Sequence, residues 1–531
     1  MLANSRVLGS HNRKGLSGSD ERSAYCDRSH VRKLQIAAYV PLQGAVKMPN
    51  SRMRGIERAK QKFGLIEPNR AVVCVQGLGF VGCAMATAIA NALDNNGEPY
   101  FHVIGLDLDN PQGRARVNAF AEGRIPINST DKDLEKAFVA ALGRKNLVAT
   151  TDPTAYSFAT ITVVDIHLDV ITGSDGKPDV SLEGILKAVQ TVASRMPKGS
   201  LILIETTVPP GTCANVIAPE IARVMRQRGL QENDLLLAYS YERVMPGEDY
   251  FNSIVNFWRV YSGHTSKAAD ACEEFLKKLI NVQSFPLTRL PSTTACETAK
   301  VLENSYRATN IAFMEEWGRF AENAGIDIFE VVNAIRLRPT HSNMRQPGFG
   351  VGGYCLTKDP LLAEIGAKRI LGLQQLTFPF SRLAVEINKE MPLASLNMLT
   401  DHFIGKLSGK KVLLLGVSYR EDVGDTRFSP SEVFFRAALS QGLKIDAHDP
   451  WVSYWPELDL NLPQRLPEAR DYDALVFAVP HKFYRSLCIR QWLDGTKPFV
   501  LDANNVLNLS QWTELHLASV PVRSIGRGVH G

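Results

Sequence analysis

A cysteine set behind a run of glycines is the most chemically loaded feature of this 531-residue chain. In GFGVGGYCLTKDP, residues 348–360, Gly348, Gly350, Gly352 and Gly353 fall within six positions; Cys355 follows, and Asp359 comes four residues later. Each glycine costs conformational entropy when ordered, so this density predicts a backbone that a ligand approaches closely. A helix beginning near Tyr354 would aim its first-turn N–H groups at Cys355 and favour thiolate over thiol, which makes the cysteine a candidate nucleophile. A lone cysteine is also a common small buried hydrophobe, so this stretch alone leaves both roles open. Lys300 and Asn304 stand four residues apart in a long helical run, hence on one face of it. They could both point at a ligand or line a solvated face.

A second constellation begins at AVVCVQGLGFVGCAMATAIANAL, residues 71–93. An apolar strand runs into Gly77, Gly79 and Gly82, a G-x-G-x-x-G that opens an apolar helix with Phe80 and Val81 in its first turn. The first glycine permits the tight turn, the second lets backbone approach a pyrophosphate, and the third lets helix pack on strand. The strand FHVIGLDLD follows, and its Asp107 is placed to hold the ribose diol of a dinucleotide, which favours NAD over NADP. Further strands end in polar residues: Glu205, Thr206 and Thr207 before Pro209-Pro210-Gly211, and Glu242 before Pro246-Gly247. Ligands of open α/β sheets bind outside such carboxyl ends, so these are candidates for a substrate site, although each is also an ordinary turn residue.

Several elements must position these groups. Strand-and-helix units from 71 to about 248 predict a doubly wound sheet, and the helical run of residues 292–325 follows it. That run carries Leu302, Tyr306, Ile311, Phe313, Trp317 and Phe320, more apolar surface than one helix stripe needs, which predicts burial between domains or subunits. A second helical run with Leu383, Val385 and Ile387 leads to a fresh α/β unit at 410–433, with more strands up to 505. This unit lacks G-x-G-x-x-G, so a second dinucleotide is not expected; its Arg420 and Arg427 could grip an anion.

Bulk properties set the limits. Length alone calls for two to four domains. No apolar run approaches the roughly 18–20 residues of a membrane span, and no secretory signal is evident, so a cytoplasmic, non-membrane protein is expected. The eight cysteines are scattered without CxxC pairs or nearby histidine sets, which argues against zinc and a disulfide framework. Residues 1–70 hold 14 Lys+Arg against 5 Asp+Glu, a net +9 that leaves −4 for the rest of a chain whose overall charge is +5. Residues 1–69 lack sustained periodicity and read as a basic, disordered extension. No nucleic-acid partner is expected.

Taken in order, GLGFVG, TTVPPGT, YERVMPG, ETAKVLENSYRATNIAFMEE, GFGVGGYCLTKDP and GVSYREDVGDTRFSP resemble the UDP-glucose/GDP-mannose dehydrogenase family, over residues 71–505. The resemblance implies an α/β fold of two Rossmann-like doubly wound domains joined by a long central helix. It implies a NAD-binding domain at 70–285, a helical dimerisation region with the cysteine loop at 286–400, and a C-terminal nucleotide-sugar domain at 401–531. It implies four-electron oxidation of a UDP-sugar C6 alcohol to the uronate through a thiohemiacetal and thioester on Cys355, for polysaccharide biosynthesis, in a homodimer or larger homo-oligomer. Lys300 and Asn304 match oxyanion-stabilising residues, Asp359 an acid near the cysteine, and Thr207 and Glu242 groups that handle water or its protons. Arg427 matches an arginine reaching the bound nucleotide; Gly348, Gly350, Gly352 and Arg420 complete the expected substrate contacts. The wording GVGGYC is closer to the UDP-N-acetylhexosamine branch.

The chain departs from the family pattern at HLDV (167–170), where a Pro-Thr-Pro-like turn is usual, at Asn128 for glutamate, at Phe349 for proline, at Arg420 for lysine and at Asn504 for arginine. Together these point to an unusual substrate or a divergent branch. A two-electron sugar or hydroxyacid dehydrogenase would need the same NAD fold but not the cysteine; a nucleotide-sugar-binding protein without turnover would need neither Lys300 nor Cys355.

Overall fold

Near-continuous apolar runs form the centre of the first sheet, as parallel strands covered by helices on both faces require. In a computed structural model that describes residues 61–63, 70–127, 129–173, 177–243, 247 and 249–528, these are β1 (Ala71–Gln76), β2 (Phe101–Leu106), β3 (Leu147–Thr150) and β4 (Ile161–Val164). A two-stranded hairpin follows, β5 (Val170–Thr172) with β6 (Pro178–Val180), and then β7 (Leu201–Ile204), β8 (Leu236–Tyr241), β9 (Val260–Gly263) and β10 (Thr288–Arg289). The eight-stranded order is β10-β9-β8-β7-β4-β1-β2-β3, parallel except where β8 meets β9. The chain crosses back between β3 and β4, and the strand order reverses at β1, which places the ligand crevice beside that strand's carboxyl end. The expected N-terminal extension lies outside the described residues save for 61–63, and Asn128 lies outside them too.

Helix α1 (Phe80–Ala90) leaves the β1 turn, and α2 (Ser266–Leu279) covers the far end of the sheet. Helix α3 (Thr293–Ala324) spans 32 residues. The Ser292 side chain caps its start by accepting from the Ala295 N–H at 3.1 Å, and Gly325 ends it with φ 71°. Buried Glu297, one turn into α3, accepts from the Gly211 and Cys213 N–H groups at 2.6 and 2.7 Å and so ties the TTVPPGT turn to the helix. A short helix α4 (Asp359–Ile365) precedes α5 (Pro379–His402), which packs along α3. Ala308, Ala312 and Ala384 meet where the two helices touch, and Asn388 donates to the Ala308 carbonyl at 3.0 Å.

A second, all-parallel sheet forms from β11 (Lys411–Leu415), β12 (Lys444–His448), β15 (Ala474–Phe477), β16 (Phe499–Asp502) and β17 (Val522–Ser524), with a separate antiparallel hairpin of β13 (Tyr454–Trp455) and β14 (Leu460–Asn461) between β12 and β15 in the chain. The sheet order is β12-β11-β15-β16-β17, and α6 (Pro430–Ser440) packs on it. The fold is thus two Rossmann-like doubly wound units joined by a long central helix.

Among the described residues, the apolar surplus of α3 is left largely exposed. Leu302, Tyr306, Phe313, Trp317 and Phe320 are all about half exposed or more, as are Phe380 and Leu383 of α5. Among the described residues no helix is long and apolar enough to cross a membrane.

Candidate active site

The β1–α1 turn is built for a phosphate-bearing ligand. Gly77 has φ +96°, and a Cβ there would stand 2.2 Å from the Asp165 carbonyl; a Cβ on Gly82 would stand 1.8 Å from the Gly77 carbonyl. Those two glycines are required by the protein's own packing. A Cβ on Gly79, in contrast, would meet nothing within 4 Å. That open space above the start of α1 fits an approaching pyrophosphate, with Phe80 and Val81 in the first turn of the helix. Asp107 closes the β2 end, accepting from the Leu78 N–H at 3.1 Å and pairing with Arg116 at 3.0 Å. Its oxygens retain lone pairs for a diol.

Cys355 comes together with Lys300, Asn304, Asp359 and Glu242 where the two units meet. Lys300 donates to the Glu242 carbonyl at 2.9 Å, with its side-chain Oε1 at 3.7 Å, and lies 5.4 Å from the centre of the Tyr241 ring. Burial alone would lower the lysine's pKa, but Glu242, Cys355, Asp359 and Glu303 together hold it above the ordinary value, so the ammonium persists. Asn304 donates to Asp359 Oδ2 at 2.7 Å, and Lys358 donates to Oδ1 at 2.7 Å. The acid is therefore fixed from α3 on one side and from its own neighbour on the other. Thr207 stands half-buried after β7, while Thr206 next to it binds both the N–H and the carbonyl of Ile166, at 2.9 and 3.0 Å.

The expectation for the thiol needs correction. No helix begins at Tyr354; α4 starts at Asp359, with Pro360 at its first positions, and the Cys355 carbonyl accepts the N–H groups of Lys358 and Asp359 at 3.2 and 2.9 Å. Cys355 thus lies in the turn before the helix rather than over its N-terminus, and no helix dipole draws out the thiolate. The side chain is open to solvent at its surface yet ringed by protein, as a group on a cleft floor is. Burial first, then the Asp359 carboxylate, push the thiol up to about 11, against the pull of Lys300 and Lys358. The resting state is a thiol with two ammonium groups at hand.

The loop glycines are also accounted for by the protein. A Cβ on Gly348 would stand 2.4 Å from Asn504 Oδ1; one on Gly352 would stand 2.6 Å from the Tyr419 Cβ and 2.8 Å from the Phe428 carbonyl. Gly350, with φ +133°, packs on Pro430 and Pro392, and Gly353, with φ +79°, on the Tyr419 ring. Their density reflects close approach of the second Rossmann-like unit. Asn504 accepts from the Phe349 N–H at 3.3 Å and donates to the Ala478 carbonyl at 2.9 Å, and Phe349 is buried against Phe434. These two departures from the family pattern therefore serve the seam itself.

Beside that seam opens a cavity of about 350 Å³, lined by Phe349, Gly350, Ser418, Arg420, Arg485 and Asn504 among others. Arg420 borders it; Gly348, Gly352 and Arg427 do not. Arg427 forks onto Asp425 at 2.9 and 2.6 Å and lies 5.0 Å above the Phe80 ring, at the dinucleotide turn. It joins the C-terminal unit to the cofactor side rather than to the cavity. The other departure, HLDV, is similarly placed: His167 stacks on Tyr354 at 4.0 Å and pairs with Asp169 at 3.1 Å. Its pKa lies below the ordinary histidine value, chiefly through burial.

Sequence reasoning passed over Asp165, Arg259 and Arg485. Asp165 and Arg259 sit at strand ends in no familiar motif, and only the strand order reveals that they adjoin Glu205 and Glu242. Among the described residues no set of three His, Cys, Asp or Glu side chains could hold a metal ion.

A dinucleotide turn, a second Rossmann-like unit with its own cavity, and a cysteine between them define a dinucleotide-dependent dehydrogenase. Residues 71–280 match the NAD binding domain, 294–390 the central domain and 413–509 the UDP binding domain of the UDP-glucose/GDP-mannose dehydrogenase family. The chain is 30% identical over 422 residues to the UDP-N-acetyl-D-mannosamine dehydrogenase of Pyrococcus horikoshii, which covers 78% of this chain and 90% of the relative. It is 28% identical over 446 residues to that of Methanocaldococcus jannaschii, covering 83% and 93%. In fold it is similar to the solved UDP-D-ManNAc dehydrogenase from Pyrococcus horikoshii (TM-score 0.70, 24% identity, 86% of this chain and 99% of that one). It is also similar to a UDP-glucose dehydrogenase from Pyrobaculum islandicum (TM-score 0.68, 23% identity, 85% and 98%). The chain belongs to the UDP-glucose/GDP-mannose dehydrogenase family and is an NAD-dependent nucleotide-sugar dehydrogenase.

Proposed function

We propose that the protein oxidises the C6 alcohol of a UDP-N-acetylhexosamine to the uronate, a four-electron reaction through Cys355, in the cytoplasm and for polysaccharide synthesis. The observation that carries this reading is the grouping of Cys355 with Lys300 and with the Asn304–Asp359–Lys358 chain. In this reading residues 70–285 hold NAD, 286–400 carry the cysteine loop, and 401–531 hold the nucleotide. Bound NAD supplies the hydride acceptor for each of the two oxidations. Lys300 and Asn304 stabilise negative charge on the C6 oxygen. The Cys355 sulfur adds to the C6 aldehyde to give a thiohemiacetal, whose oxidation leaves a thioester that water can cleave. Asp359, Thr207 and Glu242 orient that water and receive its proton. A two-electron reaction would give no use to a cysteine placed among two lysines.

In the same reading Arg420 binds the nucleotide phosphates beside the loop containing Gly348, Gly350 and Gly352, while Arg427 closes the cofactor side. The exposed aromatic stripe of α3, with Phe380 and Leu383 of α5, is the surface that a second copy covers in a homodimer or larger homo-oligomer. The N-acetylhexosamine preference draws on the names of two relatives that are 28% and 30% identical to this chain. Incubation with a panel of UDP- and GDP-sugars, followed by NADH absorbance, tests the reading. Two NADH per UDP-N-acetylhexosamine are expected; one NADH, or preference for a GDP-sugar, would refute it.

A further inference from the structure

Behind the cysteine, three neighbouring strands end in acids. Parallel pairing of β4, β7 and β8 aligns Val164 with Ile204 and Ile204 with Tyr239, so Asp165 and Glu205 leave adjacent strand ends and Glu242 leaves the next. Antiparallel pairing of β8 with β9 sets Tyr241 opposite Val260, which brings Arg259, one residue earlier, beside Glu242. Arg259 and Glu205 are both 2% exposed and paired at 3.2 Å. That pair is incomplete: Glu205 Oε2 and Arg259 Nη2 are buried with no hydrogen-bond partner among the described residues. A buried carboxyl with one oxygen unspoken for is costly in a purely structural role. It suits a group that gains and loses a proton.

We propose that Glu205 is a positioning residue for Glu242: held by Arg259, it takes on the proton that Glu242 removes from the hydrolytic water and so returns Glu242 to its basic form. The step balances. Water oxygen bonds to the C6 carbonyl carbon and the carbon–sulfur bond breaks; one water proton goes to the Cys355 sulfur, and the other passes through Glu242 to Glu205 and then to solvent. Among the described residues, the charged or titratable groups that bear on Glu205 are Asp165 after β4, Glu242 after β8, Arg259 before β9, Cys272 from α2, and Lys300 from α3 through its coupling to Asp165. Burial, followed by Glu242, raises Glu205 to about 7 against the pull of Arg259, so it changes charge at working pH. Asp165 is pushed well above the ordinary carboxyl range by burial and by its acidic neighbours Glu205 and Glu242.

This inference rests on the thioester reading, and the test keeps the two apart. NADH yield per UDP-sugar, the pre-steady-state burst and the kcat–pH profile are measured for wild type, E205Q and E205D. In E205Q hydrolysis becomes limiting: a burst of two NADH per site precedes a steady state about tenfold slower at pH 8, KM changes by less than about twofold, and the rise in kcat near pH 7 disappears. In E205D the shorter side chain loses Arg259, and the rise moves to higher pH. If E205Q does not fold, the E205D shift decides alone. A wild-type yield of one NADH defeats the thioester reading. A yield of two with wild-type profiles in the variants overturns the role of Glu205 only.

Discussion

Asn304 donates to Asp359 at 2.7 Å, and this hydrogen bond fastens the helix that joins the two Rossmann-like units to the residue four positions after the cysteine. It brings two residues 55 apart in sequence together beside the cysteine loop. Asn304→Ala should leave Asp359 with Lys358 alone and lower kcat by about 10²–10³-fold, the range for loss of a group that stabilises developing charge. Steady-state kinetics with circular dichroism as a folding control would check this, and a loss confined to KM would count against it.

The thiol is raised to about 11 by burial and by Asp359, so its thiolate fraction should climb about tenfold per pH unit through the neutral range. Alkylation of Cys355 by iodoacetamide should therefore accelerate steadily from pH 7 to pH 10 without a plateau. Lys300→Ala removes a charge that pulls the pKa down, and it should slow alkylation at any pH in that range. Faster alkylation in K300A would mean that the lysine does not serve the sulfur.

Gly352 has no room for a side chain between the Tyr419 Cβ and the Phe428 carbonyl. Gly352→Ala should destabilise the protein by about 1–3 kcal/mol, as overpacking does, and should raise KM for the UDP-sugar because the cysteine loop is displaced from the cavity. Thermal melts and kinetics measured together would separate this from a local effect, which would leave the melt unchanged.

Trp317 and Phe320 are about half exposed and touch edge-to-face at 5.7 Å. If a second copy covers them, the double substitution of both by Asp should reduce the sedimentation coefficient to that of a monomer and make activity fall on dilution. An unchanged oligomer would place the interface elsewhere.

Much of this was legible in the sequence because local rules bore on it. The strand–glycine–helix pattern at 71–93 located the dinucleotide turn, and four-residue spacing put Lys300 and Asn304 on one face of α3. What failed to show was long-range. The glycines of 348–353 predicted a ligand against the backbone, but nothing local reveals that Tyr419, Phe428, Pro430 and Asn504, some 70 to 150 residues later, fill that space. Likewise the resemblance gives Arg427 a role at the bound nucleotide, and only the packing of the two units reveals that its guanidinium also lies over Phe80. The helix start was missed by five residues because Pro360 fits the first turn better than Tyr354 does. Glu205 and Arg259 carry no spacing signal, since their pairing depends on strand order.

The central claim is that Cys355 carries the second oxidation, and the most direct measurement is NADH formed per UDP-sugar consumed by Cys355→Ser. The account predicts two for the wild type and no two-NADH turnover for the variant, because a serine hydroxyl adds to the C6 aldehyde far less readily than the cysteine sulfur does, and its acyl product would be an ester, which water cleaves less readily than a thioester. Two NADH per sugar from C355S, at a rate near that of the wild type, would contradict it.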